Sequence, residues 1–488
     1  MHLGRMFEES CGRFAGHVAL IHNDRTITYR ELNASVNAIS NQLHRMGIEK
    51  GNQVALMLPN CPEFVISYFA ILKTGASVVT LNVQSTPHEL KHLLGNSDAK
   101  ALITTGAMSR RYEEIRDELP LCRDVLITDQ PEEAFQQALS QGPFDFTMPD
   151  IHSDDPAVMI YTAGLTGKPL GAVLTHRNLT SQSRLLKNVY GGSEEYVSLA
   201  VIPLYHTFGT SVNLLGCIYA GASVVLMDRF TLEGIFQAIE RNKVTFIAAV
   251  PRLFLGMLFM EGAKKYDTGS LDFCITGGSK MPPEFIPPFE EKFGGIVREG
   301  YGLTEASPVC SVVRLEKIQK PGSIGTAIPG AEMNIFNEND QEVPHGTIGE
   351  VVVRGENVMK GYYKNPEATA RVLRNGWLHT SDLGYMDEDH YIFLTGRKKR
   401  MIITSGFNVY PQEVEDILMM HPGVKSCLVV AKPDLIRGEL VKALIVRKPS
   451  TQFDEKDIMK HCRTYLSSYK HPREVEFVDT IDIPSENI

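Results

Sequence analysis

Short apolar runs alternate with longer amphipathic stretches over most of the chain. In the first third, four runs rich in apolar residues predict buried strands: Val54–Leu58, Ser77–Leu81, Ala101–Thr104 and Val125–Thr128. Apolar residues recur every three or four positions from Tyr29 to Met46, which predicts an amphipathic helix. Strands that alternate with helices are typical of parallel sheets covered by helices on both faces.

The same alternation returns between Asp155 and Glu305. Further strands are predicted there at Ser198–Val201, Ser223–Leu226, Thr245–Val250 and Phe273–Thr276. We therefore expect two doubly wound sheets. From Gly322 to Phe393 the pattern changes, because short strands are separated by Gly, Pro, Asn and Asp. This sequence pattern predicts a small β-rich unit.

A basic run, Arg397–Arg400, precedes the last part of the chain. It is followed by an α+β pattern, with a helix at Pro411–Met420 and strands near Lys425–Ala431 and Lys442–Arg447. The predicted fold class is therefore α/β. We expect a large N-terminal lobe, residues 1–397, with two doubly wound sheets and a small β-barrel-like unit, followed by a small, mobile α+β C-terminal domain, residues 398–488.

Composition narrows the class of protein. The 488 residues carry a net charge of −9 and are 43% hydrophobic, so a folded chain is expected and a nucleic-acid partner is not. The eight cysteines include no Cys-x-x-Cys pair, which disfavours a zinc cage or a disulfide framework. The N-terminus lacks the apolar core of a signal peptide, and the longest mostly apolar stretch, Leu214–Met227, is too short to cross a bilayer. A cytoplasmic enzyme is expected.

The strongest local feature is the glycine-rich segment Tyr161–Gly171, directly after the predicted strand Ala157–Ile160. Glycines allow backbone N–H groups to approach phosphate oxygens, and the threonines and Lys168 add donors. The segment is not a Walker A motif, because no Gly-Lys-Ser/Thr ends it. By itself it fits an ordinary turn as well as an anion site, and both readings stay open at this point.

Several further segments point to a nucleotide site. They are Thr276–Met281 and Glu299–Glu305, each after a predicted strand, and Asn375–Gly384 and Thr395–Lys399. Together with the glycine-rich segment, these motifs occur in the order found in the adenylate-forming superfamily of acyl-CoA synthetases, luciferases and peptide-synthetase adenylation domains. The chain resembles that superfamily from about Thr26 to its C-terminus. The stretch Asn375–Asp382, continued by Thr395–Lys399, looks like the signature of the fatty-acyl-CoA synthetases.

The resemblance implies roles in binding ATP, Mg²⁺ and coenzyme A. Thr304 would contact the α-phosphate and Glu305 would hold Mg²⁺, an ion suited to carboxylate and phosphate oxygens. Tyr301 would stack on adenine, and Asp382 and Arg397 would bind the ribose. The full set of ATP- or AMP-binding residues implied is Thr162, Ala163, Gly164, Leu165, Thr166, Gly167, Lys168, Gly277, Gly278, Ser279, Glu299, Gly300, Tyr301, Gly302, Thr304, Asp382 and Arg397.

The resemblance also implies an acyl pocket, a thiol tunnel and a hinge. His206, Thr304 and Glu305 are the implied catalytic residues, and Lys399 is the implied pivot of a domain rotation between the two reaction steps. The acyl pocket candidates are His206, Thr207, Phe208, Val250, Cys274 and Ile275, and the tunnel candidates are Ser405, Gly406 and Phe407. Without the motif, His206 would be read as a buried histidine satisfied by the backbone.

Two departures from the superfamily's pattern bear on ATP use. Ala163, Leu165 and Leu170 replace a serine, a threonine and a lysine of the phosphate loop, so weaker binding of the triphosphate of ATP is expected. Near its C-terminus the superfamily carries a Gly-Lys whose lysine bridges the acyl carboxylate and the α-phosphate. The printed sequence ends at Ile488, just before this motif would occur, and as written it is expected to adenylate poorly.

The implied activity is the ATP-dependent conversion of a carboxylic acid and coenzyme A to an acyl-CoA, AMP and pyrophosphate through an acyl-AMP. The pocket candidates are uncharged, which favours a medium- or long-chain fatty acid or an apolar ring acid. Two alternatives stay open: an enzyme that loads a carrier protein from acyl-AMP, and a catalytically weak nucleotide- or acyl-binding homologue. No nucleic-acid partner is expected, and the sequence leaves a homodimer and peripheral membrane contact open.

Overall fold

The computed structural model describes residues 1–163, 169–398, 400–449 and 451–481. The helices, in chain order, are α1 (Leu3–Arg13), α2 (Tyr29–Arg45), α3 (Pro62–Lys73), α4 (Pro87–Ser97), α5 (Gly106–Glu113), α6 (Ala134–Gln141), α7 (His176–Ser183), α8 (Leu185–Tyr190), α9 (Gly216–Ala220), α10 (Leu232–Asn242), α11 (Pro251–Phe259), α12 (Ile286–Phe293), α13 (Pro366–Val372), α14 (Pro411–Met419) and α15 (Glu455–Tyr465).

The strands, in chain order, are β1 (Val18–His22), β2 (Arg25–Thr28), β3 (Gln53–Met57), β4 (Ser77–Thr80), β5 (Ala99–Thr104), β6 (Asp124–Ile127), β7 (Pro156–Ala163), β8 (Pro169–Thr175), β9 (Val197–Ala200), β10 (Ser223–Leu226), β11 (Phe246–Ala249), β12 (Phe273–Thr276), β13 (Ile296–Gly302), β14 (Val309–Val312), β15 (Thr326–Ala327), β16 (Ala331–Phe336), β17 (Gly349–Gly355), β18 (Gly361–Tyr362), β19 (Leu373–Arg374), β20 (Trp377–Met386), β21 (Ile392–Arg397), β22 (Ile402–Thr404), β23 (Phe407–Val409), β24 (Val424–Asp434), β25 (Gly438–Arg447) and β26 (Glu474–Phe477).

Two large sheets form the centre of the N-terminal lobe, as the alternating pattern predicts. The first has seven strands in the order β18-β8-β7-β4-β3-β5-β6, and the second has nine in the order β15-β14-β13-β12-β11-β9-β10-β1-β2. Their central strands pair in parallel, for example β3 with β4 and β11 with β12. The β1–β2 hairpin joins the far edge of the second sheet, a placement that the strand–helix alternation does not reveal.

Local sequence explains why the helices begin and bury the faces they do. Thr28 and Glu31 form a reciprocal capping box at the start of α2, which satisfies two backbone N–H groups. Leu32, Val36 and Leu43 then lie on its fully buried face. Tyr29–Arg45 agrees with the helix predicted from the periodicity. In the described part of the chain, no helix is both long and apolar enough to cross a membrane.

The predicted β-rich unit is a five-stranded antiparallel sheet in which β16, β17, β20 and β19 are neighbours and β21 pairs with β20. The C-terminal sheet has the order β23-β22-β25-β24, with β26 parallel to β25, and it is covered by α14 and α15. Buried residues of this last part, such as Val414, Leu418 and Ile445, form a core cluster of their own. We call residues 400–481 the small lobe and residues 1–398 the large lobe.

Candidate active site

A cavity of about 740 Å³, the first cavity, lies where the carboxyl ends of β12 and β13 meet the β-rich sheet and the small lobe. This is the edge at which open α/β sheets bind ligands. The structure brings these sequence-predicted residues to its walls: Thr162, His206, Thr207, Phe208, Ile275, Gly277, Gly278, Ser279, Glu299, Gly300, Tyr301, Gly302, Thr304, Glu305, Asp382, Arg397 and Gly406. The implied phosphate-loop residues Gly164–Lys168 and the implied pivot Lys399 lie outside the described residues, as does the Ala163 side chain.

One end of the first cavity is polar and built around Asp382 on β20. The Tyr301 hydroxyl donates a hydrogen bond to Asp382 Oδ2 at 2.5 Å, and Arg397 Nε donates to Oδ1 at 3.3 Å. Burial raises the pKa of Asp382, while Tyr301 and Arg397 oppose that effect. A carboxylate already oriented by two donors keeps lone pairs free for the hydroxyl groups of a ligand.

Glu305 lines the first cavity and lies on a short 3₁₀ turn after β13. Its Oε1 accepts hydrogen bonds from Thr162 Oγ1 at 3.1 Å and from the Tyr362 hydroxyl at 2.8 Å. Thr304, the preceding residue, lies 3.4 Å from Thr207 between the two hydroxyl oxygens. Within the described ranges, no group of three His, Cys, Asp or Glu side chains could hold a metal ion by itself. A cation at Glu305 would therefore need ligand oxygens to complete its coordination.

His206 borders the same region from the loop after β9. The backbone N–H of Phe208 donates to His206 Nδ1 at 3.2 Å, so the neutral ring carries its proton on Nε2. Enclosure lowers the pKa of His206 to about 4 because burial penalises the charged imidazolium. At neutral pH this side chain is therefore an uncharged hydrogen-bond donor at the cavity wall.

Glu299 is a buried carboxyl group on the polar side of the cavity, only 5% exposed. Its Oε1 accepts from the Met281 backbone N–H at 3.3 Å, and Oε2 accepts from Gln319 Nε2 at 3.4 Å. Burial raises the pKa of Glu299 to about 7, and these weak contacts do not compensate for it. Glu299 thus changes its protonation state near neutral pH.

The structure separates one acyl-pocket candidate, Cys274, from the others. Cys274 does not reach the cavity: it is fully buried and packs in the core cluster of Val297, Phe289 and Phe293, on the opposite face of β12 from Ile275. Side chains alternate between the faces of a strand, so Cys274 and Ile275 cannot share one pocket. Val250 lies next to Gly278 and Gly406, which both line the first cavity, and its place in the acyl pocket stays a prediction.

The predicted tunnel residues divide between two locations. Gly406 has a φ of +85°, and a Cβ there would come within 2.4 Å of Val250 Cγ1, so a larger residue would be strained and would displace the Val250 side chain. Ser405 does not line either cavity; its hydroxyl accepts a hydrogen bond from Arg252 Nη1 at 2.8 Å, across the lobe boundary. Phe407 lines a second cavity and stacks on Tyr469 with ring centroids 4.6 Å apart.

The second cavity, about 810 Å³, runs between α4 of the large lobe and the small lobe. It shares four wall residues with the first cavity, namely Thr162, His206, Thr304 and Asn408. The two cavities therefore meet beside Thr304 and His206. A ligand in the second cavity could present one end to a group held in the first.

A buried ionic cluster holds the two lobes in this arrangement. Lys470 Nζ of the small lobe lies 2.6 Å from Glu89 Oε1 of α4 and 2.6 Å from Glu413 Oε1 of α14. Ser467 Oγ donates to Glu89 Oε2 at 2.6 Å, and Thr86 Oγ1 donates to the Tyr465 carbonyl at 3.1 Å. Burial alone would lower the pKa of Lys470, but Tyr469 and the two carboxylates raise it well above its usual value.

The sequence analysis did not single out several residues that the structure adds to the site. Tyr362 holds Glu305, and Tyr410 and Asn408 of the small lobe line the first cavity. Lys470 and Glu89 join the lobes although 381 positions separate them. An aromatic residue directly after Gly361 is the one local signal for Tyr362. The other contacts depend on tertiary packing.

Comparison with known proteins agrees with this geometry. The family model of AMP-binding enzymes matches residues 7–363, and that of the AMP-binding enzyme C-terminal domain matches residues 413–485. A long-chain-fatty-acid–CoA ligase of Bacillus subtilis (strain 168) is 32% identical over 97% of this chain and 90% of its own length. A feruloyl-CoA synthase of an Amycolatopsis species is 34% identical over 96% of this chain and 94% of its own.

Among solved structures, a double mutant of the o-succinylbenzoate CoA synthetase of Bacillus subtilis, bound with its product analogue, has a TM-score of 0.88. It is 27% identical and covers 99% of this chain and 96% of its own. The matches cover nearly the whole chain, and residues from every described motif line one cavity. Together these findings establish the family. The chain belongs to the AMP-binding enzyme family, in the acyl-CoA synthetase group of the adenylate-forming superfamily.

Proposed function

We propose that this protein joins a carboxylic acid to coenzyme A at the expense of ATP, through an acyl-AMP, and releases AMP and pyrophosphate. The observation that carries the proposal is the composition of the first cavity. Its walls include the polar residues Asp382 and Arg397, the apolar residues Leu186 and Val212, and the hydroxyl-bearing Thr304. One continuous cavity can therefore hold a nucleotide, an apolar acid and the bond that joins them.

In the first step, an oxygen of the acid attacks the α-phosphorus of ATP and pyrophosphate leaves. Asp382 and Arg397 would orient the ribose, with the adenine against Tyr301 and the glycines Gly277 and Gly278. Thr304 would donate its hydroxyl to the α-phosphate. Preorganised donors of this kind stabilise charge that develops in the transition state.

Glu305 is the residue that would hold Mg²⁺, with phosphate oxygens as the remaining ligands. Its carboxylate suits a hard cation, and Thr162 and Tyr362 fix its orientation through Oε1, while Oε2 accepts no hydrogen bond from the described residues. When bound, Mg²⁺ neutralises charge on the phosphates. Thr162 and Tyr362 thus act as positioning residues for Glu305.

In the second step, the thiol of coenzyme A attacks the acyl carbon and AMP leaves. We infer that the thiol enters through the second cavity, because its walls include Phe407 and because it meets the first cavity beside His206 and Thr304. The small lobe would line this route through Gly406, Phe407 and Asn408. A neutral His206 with its proton on Nε2 would donate a hydrogen bond at the junction without adding charge.

The lobe contacts favour the view that this arrangement serves the second step. Gly406 packs on Val250, and the Lys470–Glu89 contact joins the lobes around the thiol route. We propose residues 1–397 and 398–488 as the two domains, with Lys399 as the pivot. A separate core that begins at Ile402 supports this division, since a domain that rotates needs its own core.

The acid is a medium- or long-chain fatty acid or a ring acid. The inner walls of the first cavity are formed mainly by apolar side chains of α8, the π-helical segment Gly209–Leu215 and β14, including Leu185, Val212 and Val309. A small acid such as acetate would leave this apolar surface uncovered. The named activities of the relatives, on long-chain fatty acids and on ferulate, lie in the same range.

The test uses the full chain with ATP, Mg²⁺ and a panel of carboxylic acids. Acid-dependent exchange of labelled pyrophosphate into ATP, followed by consumption of free thiol when coenzyme A is added, would support the proposal. Exchange without thiol consumption would indicate loading of a carrier protein instead. No exchange and no AMP with any acid would contradict the proposed function and favour a binding protein.

A further inference from the structure

The strand that carries Asp382 bulges at this residue. β20 has three residues, Thr380–Asp382, where the neighbouring strand β17 has only Val351. Regular antiparallel pairing resumes on either side, at Glu350 and at Val352 of β17. A bulge changes the direction of a side chain and is frequent beside active sites. The bulge therefore determines where the Asp382 carboxylate points.

Ser381 gives the bulge its shape. Its φ of +66° lies in the left-handed region, which residues other than glycine seldom adopt because of steric strain. Such a residue persists where its surroundings hold it in place. Ser381 lies directly before Asp382 and is only 9% exposed. Whatever holds the backbone of Ser381 therefore also positions Asp382.

The side chain of Glu350 holds Ser381 from below the bulge. Glu350 is 4% exposed, and its Oε1 accepts a hydrogen bond from the Ser381 backbone N–H at 2.9 Å. Its Oε2 lies 3.2 Å from Lys398 Nζ, and the backbone N–H of Lys398 donates to the Ser381 carbonyl at 2.8 Å. Both backbone polar groups of Ser381 are thus paired, one by Glu350 and the other by a residue that Glu350 holds.

Glu350 is ionised at neutral pH and is set back from the ligand site. Burial by itself would raise the pKa of Glu350, but hydrogen bonds from His379 and Lys398 lower it below its ordinary value. His379 Nδ1 lies 3.0 Å from Oε2. Glu350 lines neither cavity, whereas Ser381 and Asp382 line the first. Glu350 therefore acts on a ligand only through the residues that it holds.

We propose that Glu350 is a positioning residue for the ribose of ATP, because it fixes the left-handed Ser381 and thereby directs Asp382 at the sugar hydroxyls. It also holds Lys398, next to Arg397, which lies directly opposite Asp382 on β21. The inference rests on the proposed function, since it concerns the ATP of that reaction. Without Glu350, the buried N–H of Ser381 loses its acceptor and the bulge is free to relax. Recognition of the ribose hydroxyls should then weaken, and recognition of the acid should not.

The test compares ATP with 2′-deoxy-ATP and 3′-deoxy-ATP, each of which lacks one ribose hydroxyl. The measured quantity is kcat/KM for release of the nucleoside monophosphate at saturating acid and coenzyme A. We expect the wild type to prefer ATP over at least one analogue by about tenfold. Glu350→Ala should reduce this preference by about fivefold or more, with little change in the KM for the acid. A loss of fold stability alone would lower the amount of active enzyme and leave the preference ratio unchanged.

A second substitution tests the route through the backbone of Ser381. Glycine adopts a φ near +66° without strain, so adding Ser381→Gly to Glu350→Ala should restore most of the preference for ATP. Glu350→Gln keeps the shape of the side chain but loses the charge beside Lys398, and it should reduce the preference by a smaller factor. The matched control is Glu332→Ala, because Glu332 lies on β16 of the same sheet but its pair with Arg354 is exposed. The control should keep the wild-type ratio.

Three results would overturn the inference while leaving the proposed function intact. They are a wild type without preference for ATP over either analogue, a preference that is unchanged in both Glu350 variants, and a lost preference that Ser381→Gly does not restore. Absence of AMP release with every acid would refute both the inference and the proposed function.

Discussion

The contact between Glu89 and Lys470 offers a direct way to separate the two reaction steps. Glu89 belongs to the large lobe and Lys470 to the small lobe, and their side chains are only 10% and 9% exposed. Glu89→Gln removes the charge but keeps the shape, so Ser467 and the Thr86 cap can still donate to the side-chain oxygen. The Lys470–Glu413 pair within the small lobe is left in place.

The magnitude follows from the loss of one charge-assisted contact in a buried setting, about 1.5–3 kcal/mol. The substitution destabilises the lobe arrangement seen here by this amount. It does not destabilise an arrangement in which Glu89 and Lys470 are not in contact. The lobe equilibrium should therefore shift by roughly 10- to 150-fold away from the arrangement seen here. If this arrangement serves thioester formation, Glu89→Gln slows that step and not adenylation.

The assay measures the half-reactions separately, with pyrophosphate exchange for adenylation and single-turnover conversion of supplied acyl-AMP by coenzyme A for thioester formation. Glu118→Gln is the matched control. Glu118 pairs with Lys91, which lies on α4 as Glu89 does, but both side chains of this pair are about half exposed. The control should leave both half-reactions at wild-type rates. An equal loss of both half-reactions in Glu89→Gln, or an unchanged thioester step, would refute the reasoning.

Three further predictions concern single residues of the first cavity. Leu170 lines the cavity, and Leu170→Lys restores the lysine of the superfamily's phosphate loop. The variant should lower the KM for ATP in pyrophosphate exchange by about tenfold or more. An unchanged KM would contradict the expectation that Leu170 weakens ATP binding. Tyr362→Phe removes one of two donors that orient Glu305 and should raise the Mg²⁺ concentration needed for half-maximal exchange, with little change in the KM for the acid. Glu299→Gln should stabilise the fold by up to about 3 kcal/mol at pH 8 and by almost nothing at pH 4, because the folded pKa is about 7 and the ordinary value is 4.5. Urea unfolding at the two pH values measures this difference, and a gain that does not grow between pH 4.5 and 7 would contradict the assigned titration.

The sign of the Glu299 effect follows from which state holds the proton. Below pH 4.5 the carboxyl group is protonated in both the folded and the unfolded chain, and burial costs no charge. As the pH rises to 7, the unfolded chain ionises first and the fold loses stability relative to it. Glutamine imitates the protonated form at every pH, so the variant escapes this loss.

Much of the site could be predicted because its motifs follow parallel strands. Gly277–Ser279 comes directly after β12, and Tyr301–Glu305 lies at the end of β13 and just beyond it. Neighbouring parallel strands end at the same edge of a sheet, so residues that follow them in sequence are brought together in space. The alternation of strands and helices also predicted the two large sheets, which the structure confirms.

The errors and omissions have physical causes. Cys274 and Ile275 lie on a strand that is buried on both faces, so hydrophobicity does not tell which of them points into the cavity. The Glu89–Lys470 contact joins distant segments, and a local pattern cannot predict such a pair.

The central claim is that the acid is activated as an acyl-AMP in the first cavity and then transferred to coenzyme A. The most direct measurement uses an acid with both carboxylate oxygens labelled with ¹⁸O, in a reaction with the full chain, ATP, Mg²⁺ and coenzyme A. The carboxylate oxygen that attacks the α-phosphorus stays with the phosphate when the thiol displaces AMP. The account predicts AMP carrying one ¹⁸O atom in its phosphate, in equal amount to the acyl-CoA formed. Acyl-CoA accompanied by unlabelled AMP, or by ADP with labelled inorganic phosphate, would contradict it.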